Sequence, residues 1–231
     1  MSLSRWVNTN AGIQVCAVMA AIALAPVTAG AKTWDGGSGQ WTDSAWDGGG
    51  PPPGPTEDAV LPAGTYTVEV SGATSTTIDV ANLTILGGLL NCTGIAAFAA
   101  SGAIDIEAGA MNLISATNVP SELLCGGNLT IQNGGKLYVY ASMTNDSYPV
   151  YGARVFVAGS MTLTNGGWIY PDLAWKSNTL TNAGSALFQM NSLEIGTNSG
   201  FNANSGGYAT GVPGKGYGPG GGYPEAAGGG Y

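Results

Sequence analysis

The chain has 231 residues, of which 39 are glycine and none is histidine; 9% are charged and the formal net charge is −8. A chain this acidic, with six Lys and Arg in all, cannot line the basic groove that phosphate backbones require, which excludes nucleic acid as a partner. Without histidine there is no Ser-His-Asp triad, no Cys-His nucleophile pair and no basis for most zinc sites.

Residues 1–31 read as an export signal. Arg5 supplies the positive end, a mostly apolar stretch runs from Ala11 to Val27, and Ala29-Gly30-Ala31 is a small-x-small cleavage site. The mature protein is expected to begin at Lys32. The competing reading is a transmembrane anchor. Asn8, Asn10 and Gln14 interrupt the start and Pro26 the end, leaving the stretch short for a span of ~20 residues. The residues Ile13-Gln14-Val15 before Cys16 are not a lipobox. No second long apolar run follows, so no transmembrane segment is expected after cleavage. Cys92 and Cys125 remain in the mature chain, and export permits a disulfide. The two differ in phase within their repeats, so a bridge and a pair of buried small apolar residues both stay open.

Residues 32–62 are rich in Trp, Gly and Pro. Trp34, Trp41 and Trp46 are spaced 41−34 = 7 and 46−41 = 5 apart in a setting of Gly and Asp, followed by Pro51-Pro52-Pro53. This is no amphipathic helix. The first reading is a cap over the end of a hydrophobic stack; the alternative is a flat carbohydrate-binding platform. Asp58–Leu61, Tyr66–Val70 and Ile78–Val80 then supply the first strands.

Residues 63–201 carry a repeat. One phrase recurs five times: an apolar-polar-apolar triplet, a Gly turn, then a second apolar strand. The triplets are Leu83-Thr84-Ile85, Ile104-Asp105-Ile106, Leu129-Thr130-Ile131, Met161-Thr162-Leu163 and Leu193-Glu194-Ile195. The second strands carry Leu89, Met111, Leu137, Ile169 and Phe201. The triplet ends are spaced 106−85 = 21, 131−106 = 25, 163−131 = 32 and 195−163 = 32. An all-β solenoid follows, in which each coil covers the edge and the apolar face of the one before. Ile85, Ile106, Ile131, Leu163 and Ile195 should form one inward stack, and the extra residues of the longer repeats, such as Thr144 to Gly152, should leave as a loop on one side. A β-sandwich of hairpins also fits strands and Gly turns. The recurrence of the same phrase in the same order favours the solenoid.

Several of these segments together resemble the start of large exported bacterial β-helix proteins of the autotransporter-like and adhesin-like kind. They are Trp34-Asp35-Gly36-Gly37, Glu57-Asp58-Ala59-Val60, Gly64-Thr65-Tyr66-Thr67-Val68, and Asn82-Leu83-Thr84-Ile85 with its Gly87-Gly88 turn. The resemblance spans Thr33 to Phe201. It implies a right-handed parallel β-helix at or outside the bacterial cell surface and carries over no catalytic residue. Residues 202–231 form a tail of Gly, Tyr, Pro, Ala and Ser, expected to be disordered. The tail reads either as a natural low-complexity segment or as the point where a longer protein continues.

The search for chemistry finds little. Gly214-Lys215 is followed by Gly216 where a P-loop needs Ser or Thr. Gly36-Gly37-Ser38-Gly39 has Trp41 where a calcium-binding nonapeptide turn needs Asp. Asp105 with Glu107 is the best carboxylate cluster. Glu194 shares the register of Asp105 but lies three coils on, ~14 Å away at ~4.8 Å per coil, beyond the reach of paired glycosidase carboxyls. No catalytic residue, metal site or cofactor is expected. One surface stands out: Tyr138 and Tyr170 fall on the same outward position of adjacent coils, with Trp168 beside them. It reads as a ladder covering the coil or as a patch for glycan or a protein partner. The expected function is that of an exported structural or adhesive protein, non-catalytic, at the cell surface or in the extracellular space, with surface polysaccharide or another cell-surface protein as partner. The alternative is a β-helix that binds or degrades polysaccharide as a lyase or glycosidase.

Overall fold

A computed structural model describes residues 29–116, 119–142, 151–173 and 185–203. Residues 1–28 of the expected signal, most of the Gly-rich tail and most of the loop expected at Thr144 to Gly152 lie outside the described residues.

Every described element is a strand. The chain opens with β1 (Ala29–Thr33) and β2 (Gly39–Gln40). It then goes round in coils of three strands. The first full coil is β3 (Glu57–Leu61), β4 (Thr67–Ser71) and β5 (Thr77–Val80). Then come β6 (Leu83–Ile85), β7 (Leu89–Thr93) and β8 (Ala97–Ala100), and β9 (Ile104–Ile106), β10 (Ala110–Ile114) and β11 (Ser121–Cys125). β12 (Leu129–Ile131) and β13 (Lys136–Ala141) lead into β14 (Ala153–Leu163), which ends one coil and begins the next. β15 (Trp168–Leu173), β16 (Ala186–Ile195) and β17 (Gly200–Phe201) complete the described chain.

All strand pairs within the sheets are parallel. The triplets stack as β3-β6-β9-β12-β14 and the second strands as β4-β7-β10-β13-β15-β17. The third strands stack as β5-β8-β11-β14. The two-strand phrase of the repeat thus omits a third strand, which the sequence disclosed only in the first coil, at Ile78–Val80. Because β14 and β16 each run through a corner, the first and third faces count as one ten-stranded sheet and the second face as a seven-stranded one. Among the described residues, antiparallel pairing is confined to isolated bridges at Trp34–Trp46, Trp46–Gly50 and Ala116–Val119. The described strands form no hairpins of a β-sandwich, and their order is consistent with a parallel β-solenoid.

Register explains the alternation. Leu61, Ile85, Ile106, Ile131, Leu163 and Ile195 are successive partners in one column. The first five are fully buried. Ile195 keeps the register but is 48% exposed, because no described strand stacks beyond it. The second face holds Val68, Leu90, Met111, Leu137, Ile169 and Phe201 in one column. The expectation of Leu89 in that column is therefore corrected by one residue. Leu89 pairs with Ala110 on the outer row, and Leu90 is the buried one. The cause is the turn. Five residues separate Ile85 from Leu90 (90−85) and Ile106 from Met111 (111−106), but six separate Ile131 from Leu137 (137−131) and Leu163 from Ile169 (169−163). The longer turns contain Asn133-Gly134 and Asn165-Gly166, with φ of 54° and 86° and of 49° and 81°. Two successive residues in the left-handed region, which Asn and Gly tolerate best, accommodate the extra residue.

Polar ladders bind the corners. Asn82 Nδ2 donates to Asp58 Oδ1 at 2.7 Å, and Asn82 Oδ1 accepts from the Ala103 amide at 2.7 Å. Asn128 Oδ1 does the same for the Ser160 amide, and Ser192 Oγ donates to Ser160 Oγ. On the second face Asn112 donates to Asn91, and Asn91 to Glu69. Neutral polar side chains in register satisfy one another, which is how a chain with few charges clothes its coils.

Cys92 and Cys125 are free and buried. Cys92 stacks between Val70 and Leu113, and Cys125 between Ala100 and Val157. They sit on different faces, so the apolar reading holds and the bridge does not. Burial raises both thiol pKa values, with Glu69 adding to the effect at Cys92.

Candidate functional site

The second face carries the tyrosine-tryptophan row. β13 sends Lys136, Tyr138 and Tyr140 outward, and β15 sends Trp168, Tyr170 and Asp172 outward in register with them. The alternation of the strands sets this, since Leu137, Val139 and Ile169 fill the core on the other side. Tyr138 and Tyr170 are stacked, with centroids 4.6 Å apart and ring planes 15° from parallel. Tyr138 and Tyr140 lie 6.3 Å apart at 9°. Burial raises the Tyr140 pKa, and neighbouring Asp172 and Tyr138 raise it further. Trp168 leans over Gly200 of the next coil, where a Cβ would sit 3.6 Å from the indole.

The structure therefore brings Tyr138, Tyr170 and Trp168 together, as their phase requires. All three are half-buried. The facing sides of Tyr138 and Tyr170 are used on each other, so what reaches solvent there is ring edges and hydroxyls. Lys136 and Asn112 border the group and can hydrogen-bond a polar ligand. Tyr148 and Trp175, close in sequence, lie outside the described residues.

The other candidates separate. Trp34, Trp41 and Trp46 are 1%, 2% and 0% exposed. Trp46 packs edge-on against Trp34 at 5.2 Å and Trp41 at 4.7 Å, and Trp41 against Phe98 at 5.4 Å. The indole N–H groups of Trp34 and Trp46 donate to the Gly37 and Trp41 carbonyls. Buried on all sides, the three rings offer no carbohydrate platform. Asp105 and Glu194 do share a column, through Thr130 and Thr162. Two threonines between them keep them from acting as a pair. No group of three or more metal-ligating side chains occurs among the described residues.

One cluster escaped sequence reasoning. On the third face Arg154 Nη2 contacts Glu122 Oε2 at 2.7 Å, and the Tyr151 hydroxyl donates to Glu122 Oε1 at 3.3 Å. Arg154 and Glu122 lie 32 residues apart and are register partners of β11 and β14. Only knowledge of the third strand would have paired them.

No family model, curated protein or solved structure matches this chain.

Proposed function

We propose that the chain is an exported bacterial structural or adhesive protein, non-catalytic, built on a right-handed parallel β-helix. In this reading the buried tryptophans cap the N-terminal end and the Gly/Tyr-rich tail extends from the other. The single observation that supports it is the register. Side chains of six successive triplets align in one column, so the chain invests its residues in a rigid stack that displays rows of equivalent side chains. The tyrosine-tryptophan row is the surface offered to a surface polysaccharide or to another cell-surface protein. Each contact is weak, on the order of 1 kcal/mol for an aromatic group, and gains strength from many copies acting together.

The test is made on cells and on the folded protein. Secreted material should begin at Lys32 on N-terminal sequencing, and exported material still carrying Met1 to Ala31 would overturn the export assignment. Protein coupled to beads should adhere to a polysaccharide array or to intact cells, and changing Tyr138 and Trp168 to Ala should weaken adhesion with little change in melting temperature. The competing reading, a polysaccharide lyase or glycosidase, predicts released oligosaccharide in a glycan-cleavage screen.

A further inference from the structure

The outer surface of the third face holds a groove that the sequence did not disclose. Its floor is one column of outward side chains from successive coils: Asp79, Ala99, Leu124 and Phe156. Ala99 is the small member between two larger neighbours, and the trough opens over it. Pro55, Ser101 and Arg154 contribute to its walls, and the volume is 410 Å³. That lies within the range of small-ligand sites, about 300–1,000 Å³.

Two features point to a ligand. Phe156 is 39% exposed, one of the few large apolar side chains left in solvent among the described residues. The Arg154 guanidinium lies 5.9 Å from its ring centroid, and the Nε of Arg154 is buried without a hydrogen-bond partner. At the opposite end Asp79 is exposed and takes part in no hydrogen bond or ion pair among the described residues.

Charge decides the class. Arg154 is already neutralised by Glu122, and Asp79 adds a negative charge, so the groove repels a polyanion. Under Ala99, Leu124 and Phe156 the strands β8, β11 and β14 are each paired on both sides, which leaves no backbone edge in the body of the trough for an extended peptide to join; β5, paired with β8 alone, ends the sheet beyond Asp79. A neutral sugar chain meets both conditions. Its ring has an apolar face for Phe156 and Leu124 and hydroxyls to donate to Asp79. The column rises over three coil spacings, ~14 Å, so more than one sugar unit fits along it. We infer that this groove binds a strand of neutral polysaccharide, with a pyranose ring over Phe156 and hydroxyl groups on Asp79.

The experiment is electrophoresis of the full chain through native gels containing a neutral β-glucan, a neutral galactomannan or polygalacturonate. Retardation by at least one neutral polymer and none by polygalacturonate is expected. Phe156→Ala and Ala99→Leu, which fills the trough, should each weaken the apparent affinity tenfold or more, and Glu194→Gln, exposed on the first face, should leave it unchanged. Absence of retardation in both neutral gels overturns the inference. So does equal retardation by polygalacturonate, or an apparent affinity that Phe156→Ala leaves unchanged. Thermal melts check folding, and if Ala99→Leu fails to fold, Phe156→Ala at an exposed ring decides alone. The measurement is independent of the proposed function, since a failure of export or of adhesion through Tyr138 leaves the gel result untouched.

Discussion

Ile131 and Ile195 occupy the same column but not the same surroundings. Ile131 is fully buried between Ile106 and Leu163, whereas Ile195 is 48% exposed. A carboxylate at position 131 is stranded in an apolar stack, at a cost on the order of 4 kcal/mol or more. That is a large share of the ~5–15 kcal/mol that holds a domain together. Ile131→Asp should therefore leave the protein unfolded, and Ile195→Asp should shift the urea midpoint by less than ~1 kcal/mol equivalent. Equal effects at the two sites would mean that Ile195 is covered in solution. A second residue reports through pH. The buried Tyr66 hydroxyl donates to the Pro62 carbonyl at 2.6 Å, and burial raises its pKa from 10.0 to about 12. The folded state holds the phenol neutral, so its contribution is complete below pH 10 and is lost as pH rises through 12. Tyr66→Phe should lower stability at pH 7 by about 1 kcal/mol for the lost hydrogen bond and flatten stability between pH 10 and 12. An unchanged alkaline limb in that variant would refute the assignment.

At the scale of the element, turns separate what the sequence discloses from what it conceals. The triplets are legible because strict alternation and recurrence in order make a period-2 signal that a helix or an irregular segment does not imitate. The second strand is legible except at Leu89, because two turn lengths share the same Gly-rich look and differ by one residue. The third strand is legible in the first coil, at Ile78–Val80, and not in the later ones. Ala97-Phe98-Ala99-Ala100 does not alternate, and Ala153-Arg154-Val155 follows residues that break the period. The tyrosine row is readable by counting from Leu137 and Ile169, but not the orientation of its rings, which depends on what each ring stacks against. The groove needs the third strand and so could not be foreseen. The turns themselves are testable. Asn165 sits at φ 49°, where a residue without the Asn side chain costs roughly 1 kcal/mol. A Cβ on Gly167 would run into the Ile131 carbonyl oxygen of the coil below. Asn165→Ala should cost about 1 kcal/mol in chemical denaturation, and Gly167→Ala clearly more. The opposite order would mean that the coils can part there.

At the scale of the whole molecule, a stack of coils touches only its neighbours, so stability is distributed along an axis and the ends matter most. The described ends differ. At the start, Trp34 donates its amide to Val60 and Trp41 its amide to Glu69, which ties the tryptophan cluster to the first coil on two faces. Trp41 reaches on to Phe98 in the coil beyond. At the other end, Leu193, Ile195 and Phe201 are 45%, 48% and 36% exposed. Removing Trp46, fully buried against both other indoles, leaves a cavity in this cluster at a cost of ~3–5 kcal/mol. If neighbour contacts govern, the loss is local first. In Trp46→Ala, amides of β3, β4 and β6 should exchange with deuterium faster, and those of β12, β13 and β15 should keep nearly their original protection. Uniform acceleration along all the strands would show instead that the coils melt as one cooperative unit, and that the tryptophans secure the entire column and not its first turns alone.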